Sequence, residues 1–307
     1  MKAALIAKNG GPEVLIYGDA PDPVAGPGEV VIDIHAASVN AADWKVRVDG
    51  DGRDLPFPYI LGRDFSGLVS ALGAGVTDFA IGDAVFGVCD VGQEGAYAEK
   101  IAMKAAIIAH KPDELSHIDA VSLALTGLTA TVSIEDTLKL QSGETILIQG
   151  GAGGVAGFAI QLAKHLGAHV ITTASASNHD YMRELGADQI VDYNAQDFTE
   201  VVSDCDAVFE TVGGDVSVQS YAVLKPGGRA AFIASGSTAP TPPRDDVQGL
   251  RPAVGRDREH LERVAELVSI GAVVIPPITE YPLSEAAAAH QVSEARHLRG
   301  KLIFKIR

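Results

Sequence analysis

The chain has 307 residues, and its 47% hydrophobic and 21% charged residues are typical of a folded globular protein rather than a disordered one. The 40 acidic residues outnumber the 24 lysines and arginines, and the net charge of −16 argues against nucleic acid or an anionic membrane as a partner. Two cysteines exclude a disulfide scaffold, and without a long uninterrupted apolar run or a signal-peptide pattern we expect a cytoplasmic protein.

The first 120 residues predict a β-rich unit. Short apolar runs alternate with glycine and proline, which is typical of a small β-barrel. The predicted strands are Val30–Ile34, Gly62–Leu72 and Asp83–Val88. Near the end of the chain, Lys301–Ile306 alternates apolar and polar residues, and we expect this strand to return to the first unit.

From about residue 117 the pattern changes to helices that alternate with strands. Apolar residues three or four positions apart predict a helix over 117–138, and later helices are predicted near 155–166, 180–185, 216–224 and 261–268. The predicted strands are Thr145–Ile148, His169–Thr173, Gln189–Val191, Ala207–Phe209 and Arg229–Ile233. This order predicts a doubly wound parallel sheet. The proline-rich segment Ser237–Asp257 is predicted to be a loop, either a surface connection or a flap over a pocket.

A glycine-rich turn follows the strand Thr145–Ile148 and opens a helix. Its Gly151-x-Gly153-x-x-Ala156 spacing matches the dinucleotide fingerprint, in which the glycines allow a tight turn and close approach to a diphosphate. The free N–H groups of the helix then bind the anion. We therefore predict that the diphosphate of a dinucleotide is bound by Gly151, Ala152, Gly153, Gly154 and Val155.

The end of the next strand selects between NAD and NADP. A carboxylate there would bind the ribose 2′-hydroxyl of NAD and repel a 2′-phosphate. The segment after Thr173 has no carboxylate before residue 180 and contains Ser175, Ser177 and Asn178. This favours NADPH over NADH, although no arginine stands at the strand end to hold the phosphate, and NAD stays an alternative.

Several segments together resemble a known family. In order along the chain they are Ser38–Lys45, Leu61–Gly67, Gly82–Gly87, Gly95–Glu99, Thr126–Ala130, the glycine turn, Leu185–Asp188, Val212–Gly214 and Arg299–Lys301. The chain resembles the zinc-free medium-chain dehydrogenases/reductases of the quinone oxidoreductase (zeta-crystallin-like) and enone reductase branch. The resemblance implies an α/β protein with a GroES-like β-barrel catalytic domain over 1–118 and 272–307 and a Rossmann nucleotide-binding domain over 119–271.

The resemblance also implies that no zinc is used. Zinc-containing relatives carry a cysteine near the position of Asn40 and Gly-His-Glu at Gly62-Arg63-Asp64, and arginine cannot ligate zinc. Without zinc, an alcohol is difficult to activate for oxidation. We therefore expect hydride transfer from NADPH to a small-molecule quinone or α,β-unsaturated carbonyl compound.

By resemblance, the catalytic candidates are Asn40, Asp43 and Lys45. Lys45 would meet the negative charge that develops on the acceptor oxygen, or it is an ordinary exposed lysine. Asn40 would bind the nicotinamide or the substrate. Asp43 would orient its neighbours or simply cap the following helix.

The resemblance adds further cofactor contacts and a quaternary expectation. The implied cofactor-binding positions are Thr126, Thr173, Tyr193, Val212, Gly213, Ile233, Ser235 and Lys301. A homodimer is expected through a sheet edge, with Arg229–Ile233 and Val273–Ile275 as candidate edge segments. The alternative function is a dinucleotide-binding sensor or structural, crystallin-like protein without significant turnover.

Overall fold

The computed structural model describes residues 1–307. Its strands are β1 (Lys2–Ile6), β2 (Leu15–Asp19), β3 (Glu29–Val39), β4 (Tyr59–Ile60), β5 (Asp64–Leu72), β6 (Ala84–Val88), β7 (Lys100–Lys104), β8 (Ile108–His110), β9 (Thr145–Ile148), β10 (His169–Thr173), β11 (Gln189–Val191), β12 (Cys205–Glu210), β13 (Leu224–Phe232), β14 (Gln248–Leu250), β15 (Ile278–Pro282) and β16 (Lys301–Lys305). Its α-helices are α1 (Ala41–Asp49), α2 (His117–Thr131), α3 (Gly154–His165), α4 (His179–Glu184), α5 (Phe198–Val201), α6 (Asp215–Gln219), α7 (Arg258–Ser269) and α8 (Ala286–Glu294).

The chain divides into two compact units. The first contains Met1–Leu125, Gly255–Glu266 and Ile275–Arg307, and the second contains Thr126–Val254 and Leu267–Val274. Helix α7 therefore begins in the first unit, whereas the sequence analysis assigned it wholly to the nucleotide domain. The reason lies in Arg258, whose guanidinium donates hydrogen bonds to the carbonyls of Ile108 and Ala105 in the first unit.

The first unit contains two sheets, in which every strand pair is antiparallel except β15 with β16, which are parallel. One sheet has the order β15-β16-β3-β5-β6-β8, with β7 also paired to β3, and a second sheet has the order β2-β1-β4. The 11-residue β3 is long enough to pair with β7 along its first half and with β16 along its second half. The antiparallel pairing of β16 with β3 confirms that the end of the chain returns to this unit.

The second unit is a parallel sheet in the order β11-β10-β9-β12-β13-β14. Numbered from β9, this is the strand order 3-2-1-4-5-6 of a doubly wound dinucleotide-binding fold, as predicted. Residues 146–148 of β9 are fully buried, because the central strand of such a sheet is covered on both faces. The strand order reverses between β9 and β12, and ligands bind such folds at this point.

Two expectations about the sheet edge were wrong. Segment 237–257 is not all loop, since Gln248–Leu250 forms β14 and pairs with β13. Consequently Arg229–Ile233, which lies largely in β13, is an inner strand rather than an edge. Val273–Ile275 is not a strand at all. A three-residue strand among prolines has too little apolar pattern to be recognised from sequence, and the actual edges are β11 and β14.

Helix α2 has close to the length predicted from the sequence, and it is apolar enough to be compared with a membrane span. Helix α2 continues through a π-helical turn to Thr137, and residues 117–137 meet the length and composition of a membrane span. However, 78% of its most apolar window is buried inside the protein. Core helices of water-soluble proteins meet the same criterion, so this helix is weak evidence for a membrane.

Candidate cofactor and active site

The turn between β9 and α3 requires glycine at two positions. Gly150 has φ +71°, a conformation that favours glycine. A Cβ atom on Gly151 would collide with Thr172 Oγ1 and would lie only 2.5 Å from Met182 Sδ. Gly153 differs, because a Cβ there would meet only the Gly150 carbonyl oxygen, at 3.5 Å. Nothing in the protein therefore requires glycine at 153, which fits close approach by a ligand.

The start of α3 presents unpaired backbone donors. The first N–H groups of any α-helix have no partner within the helix, and here these belong to Gly154, Val155 and Ala156. The preceding residue, Gly153, has no side chain to cap them. A 12-residue helix also carries a partial positive charge at this end. The turn thus has the donors and the space that a diphosphate needs.

Buried polar side chains hold the turn from below. Thr173 Oγ1 accepts a hydrogen bond from Gly150 N at 3.0 Å and donates one to Gln149 Oε1 at 2.7 Å. Thr211 donates to the Gln149 carbonyl oxygen at 2.8 Å. Thr173, predicted to bind the cofactor, is buried and supports the turn through these bonds. Its own contact with a cofactor stays a prediction.

A second loop, at the end of β12, is fixed by a buried carboxylate. Glu210 Oε1 accepts the backbone N–H groups of Val212 at 2.5 Å and Gly213 at 2.7 Å, and Oε2 accepts from Ser217 at 2.8 Å. A Cβ on Gly213 would lie 3.1 Å from the Ala234 carbonyl oxygen. The loop after β12 and the loop after β13 therefore pack together at the carboxyl edge of the sheet.

The remaining predicted cofactor residues follow the same edge of the parallel sheet or lie in α2. Ile233 donates its backbone N–H to the Glu210 carbonyl oxygen at 3.2 Å. Ser235 Oγ donates to the Thr238 carbonyl oxygen at 2.8 Å, so this hydroxyl is engaged locally. Thr126 is buried within α2.

The predicted 2′-phosphate residues follow neighbouring strands β10 and β11. Asn178 Nδ2 lies 3.1 Å from Ser175 Oγ, and Ser175 Oγ lies 3.2 Å from Ser177 Oγ. Tyr193, two residues after β11, is 51% exposed. Arg183 is paired with Asp180 at 2.5 Å. The structure thus groups hydroxyl and amide side chains beside β10, with an aromatic side chain after the adjacent strand.

In the first unit, Asn40 joins a buried polar network at the start of α1. Its Nδ2 atom donates to Asp64 Oδ1 at 2.9 Å, and its Oδ1 atom accepts from Lys301 Nζ at 2.7 Å. Ser38 donates to both oxygens of Asp64, at 2.7 and 2.8 Å. Burial raises the pKa of Asp64, and the Lys301 ammonium opposes that rise. Both polar atoms of Asn40 are therefore occupied within the chain.

Lys301 was predicted to bind the cofactor, where a lysine would contact a phosphate. Its Nζ atom instead lies buried, within 2.7 Å of Asn40 Oδ1 and 3.1 Å of the Val39 carbonyl oxygen. Burial lowers the pKa of Lys301, while Asp64 raises it. A reach to phosphate would break both hydrogen bonds, so the structure gives Lys301 a place in the network around Asn40.

Asp43 lies in the first turn of α1 and is fully buried. Its Oδ2 atom accepts the Asn40 N–H at 2.9 Å and the Tyr97 hydroxyl at 2.8 Å. Its Oδ1 atom has no hydrogen-bond partner and lies 3.7 Å from Arg63 Nε. Burial raises the pKa of Asp43 to about 7, and the Arg63 guanidinium limits the rise.

Lys45 lies on the same helix as Asp43 but differs from it in burial and in hydrogen bonding. It is half-buried and makes no hydrogen bond or ion pair, and its Nζ atom lies 5.9 Å from the centre of the Trp44 ring. Its ammonium group therefore keeps its hydrogen-bond donors available.

Comparison with known proteins supplies the family. Residues 26–113 match the alcohol dehydrogenase GroES-like domain, and residues 185–304 match a family described as zinc-binding dehydrogenase. The chain is 31% identical to the chloroplastic NADPH-dependent alkenal/one oxidoreductase of Arabidopsis thaliana, over 99% of this chain and 79% of the relative. The chain belongs to the medium-chain dehydrogenase/reductase family, in its quinone oxidoreductase and enone reductase branch.

Solved structures of quinone oxidoreductases have the same fold as this chain over its full length. The quinone oxidoreductase of Coxiella burnetii has a TM-score of 0.92 and 36% identity, covering 100% of this chain and 99% of that one. The Escherichia coli quinone oxidoreductase complexed with NADPH has a TM-score of 0.91 and 26% identity, covering 100% of both chains. The predicted family and the predicted fold are therefore confirmed.

The residues around Asn40 do not fit the zinc that the family description implies. The Arg63 guanidinium has no lone pair to offer a metal. Asn40 is held by Lys301 and Asp64, and burial raises the pKa of the Cys89 thiol well above its usual range, whereas zinc needs a thiolate. No group of three or more histidine, cysteine, aspartate or glutamate side chains is arranged to hold a metal ion.

Sequence reasoning missed several buried polar residues. In the second unit these are Gln149, Glu210 and Thr211, which follow two strands of the sheet and shape its loops. In the first unit they are Arg47 and His290, both fully buried. The four-residue spacing from Asp43 to Arg47 was a usable signal, but on a helix it ordinarily indicates an exposed ion pair.

Proposed function

We propose that the protein is an NADPH-dependent reductase that transfers hydride to a quinone or an α,β-unsaturated carbonyl compound without zinc. The observation that carries the proposal is the turn from Gly150 to Gly154. Its backbone donors are free, and the position of Gly153 is open. Membership of a branch that contains NADPH-dependent alkenal and quinone reductases supports the substrate class.

The choice of NADPH rests on the carboxyl ends of β10 and β11. Ser175, Ser177 and Asn178 offer hydroxyl and amide donors to a 2′-phosphate, and exposed Tyr193 offers a ring against which the adenosine can stack. No carboxylate lies between Thr173 and Asn178 to repel the phosphate.

In the proposed hydride transfer, the cofactor and the protein residues have separate roles. NADPH supplies the hydride, which adds to the electron-poor acceptor and leaves negative charge on its oxygen. An ammonium group with free donors stabilises such charge, and Lys45 is the candidate on α1. Asn40 and Asp43, through their buried hydrogen bonds, hold the start of the helix that carries Lys45.

The direct test follows NADPH oxidation by the purified protein against a panel of quinones, alkenals, enones and saturated ketones. Turnover of quinones or enones, with none of saturated ketones, is the expected result. It should survive dialysis against a zinc chelator. Tight NADPH binding with no turnover of any acceptor would instead support a dinucleotide-binding sensor or structural protein, and loss of activity with the chelator would refute the zinc-independent mechanism.

A further inference from the structure

A chain of buried hydrogen bonds links α8 to Asp43 on α1. Arg47 NH1 lies 3.1 Å from His290 Nδ1, His290 Nε2 lies 3.2 Å from the Tyr97 hydroxyl, and that hydroxyl lies 2.8 Å from Asp43 Oδ2. Arg47, Tyr97, His290 and Asp43 are all completely buried. Arg47 also pairs with Glu294, one turn beyond His290 on α8.

Chemistry fixes the direction of every hydrogen bond in this chain. A guanidinium can only donate, so His290 Nδ1 must accept from Arg47. Burial and the charge on Arg47 lower the pKa of His290 to about 3, which keeps the imidazole neutral with its proton on Nε2. His290 therefore donates to Tyr97, and the Tyr97 hydroxyl in turn donates to Asp43.

The series of hydrogen bonds begins at the Arg47 guanidinium, which does not give up a proton. Because arginine stays protonated, the sequence of donors cannot carry a proton from Glu294 to Asp43. It can only support the one hydrogen bond that the Tyr97 hydroxyl donates to Asp43 Oδ2. This bond stabilises the ionised carboxylate and leaves Oδ1, beside Arg63, as the atom that takes up or releases a proton.

We propose that Tyr97 and His290 are positioning residues that hold Asp43 ionised, and that the ionised Asp43 fixes the start of α1 for turnover. The ionised carboxylate accepts the Asn40 N–H near the positive end of the helix, where a negative charge is favourable. Asn40 and Lys45 lie on the segment that it holds. The inference rests on the proposed reductase function, and it adds two residues that do not touch the cofactor's phosphate turn.

Other charges around Asp43 act on the same equilibrium. Arg63 favours the ionised form, whereas Glu94 and Asp64, together with burial, favour the protonated form. Lys301 also interacts with Asp43, as a cation. The hydrogen bond from Tyr97 is the one contribution that a single-atom deletion removes without changing any of these charges.

The test compares the pH profile of kcat for the wild type and Tyr97→Phe. The Phe ring keeps its packing against Phe304, whose ring centre lies 4.8 Å away, and only the hydroxyl is lost. In the wild type, kcat should rise with pH around 7. In Tyr97→Phe that rise should move up by about one to two pH units, the usual effect of losing a hydrogen bond to a carboxylate. The affinity for NADPH should stay unchanged.

Tyr221→Phe is the matched control. Tyr221 is equally buried, but its hydroxyl donates to the Pro240 carbonyl oxygen in the second unit, at 2.5 Å. It should lose stability as any buried tyrosine does, with no shift of the pH profile. His290→Gln, which can accept from Arg47 and donate to Tyr97, should keep the wild-type profile, whereas His290→Leu should shift it in the same direction as Tyr97→Phe.

An unshifted profile in Tyr97→Phe, or an equal shift in Tyr221→Phe, would overturn the inference. If the wild type oxidises no NADPH, the proposed function fails. The effect of the hydrogen bonds from His290 and Tyr97 on Asp43 is then tested by measuring protein stability as a function of pH. The free energy of unfolding of the wild type should fall as pH rises from about 4 to about 7, and in Tyr97→Phe this fall should continue to a higher pH. If Tyr97 and His290 only fill space, the pH range of this change should be the same in Tyr97→Phe as in the wild type.

Discussion

Replacing Asp43 by asparagine isolates the cost of burying a carboxylate at the start of α1. The pKa of Asp43 is about 7 in the folded protein and 3.8 as its ordinary value, a difference of about three units. At 1.36 kcal/mol per unit, this corresponds to about 4 kcal/mol of stability. The asparagine side chain would keep an oxygen to accept from Tyr97 and from the Asn40 N–H.

The sign follows from proton binding. Between these two pKa values the folded protein holds a proton that the unfolded chain has lost, so the stability of the wild type falls as pH rises through this range. Asp43→Asn removes this dependence. The difference in unfolding free energy between the variant and the wild type should therefore grow in favour of the variant by about 3 kcal/mol from pH 5 to pH 8.5.

Urea denaturation at a series of pH values, without cofactor, measures this difference. The other titrating groups are present in both proteins, so their contributions to the pH dependence cancel in the difference. Asp54→Asn, which changes an exposed carboxylate outside any ion pair, serves as the control and should show a constant difference from the wild type. A constant difference in Asp43→Asn as well would refute the burial argument.

Three further predictions concern the cofactor and the acceptor. Gly151→Ala should destabilise the protein by about 1–3 kcal/mol because its Cβ would clash with Thr172 and Met182, whereas Gly153→Ala should weaken NADPH binding, measured by calorimetry, and leave the melting temperature unchanged. Equal effects of both would contradict the separate roles of these glycines. Ser177→Asp should lower the ratio of NADPH to NADH affinity at least tenfold, because the carboxylate would repel the 2′-phosphate of NADPH. An unchanged ratio would show that the 2′-phosphate does not bind near Ser177. Lys45→Ala should reduce kcat for enones at least tenfold with little change in NADPH affinity, and unchanged turnover would remove Lys45 from the mechanism.

The sequence predicted the dinucleotide fold well because its signals are local. A β-branched run, a glycine turn and a helix follow one another within residues 145–165, and each is dictated by neighbours in the chain. The handedness of each connection between parallel strands then follows from the right-handed crossover rule. The short strand β14 escaped because its three residues gain their stability from β13 rather than from a pattern of their own.

The buried network of the first unit lay beyond sequence reasoning. Asp43 was recognised as a possible cap of the following helix, and it does accept the Asn40 N–H at the start of α1. Lys301, the partner of Asn40, and Tyr97, the partner of Asp43, stand far away in the chain, as does His290, the partner of Tyr97. Neither spacing nor composition pairs these residues. The resemblance implied a contact of Lys301 with the cofactor, and only the structure shows its hydrogen bond to Asn40.

Sequence alone therefore determined the class of fold, the glycine turn and the branch of the family, since each is recognised from short segments whose residues are close together in the chain. Only the tertiary structure decided which polar side chains are buried together and how each is charged. The physical reason is that the pKa of Asp43 depends on the loss of water and on the distances to Arg63, Glu94 and Tyr97, which exist only once the chain has folded.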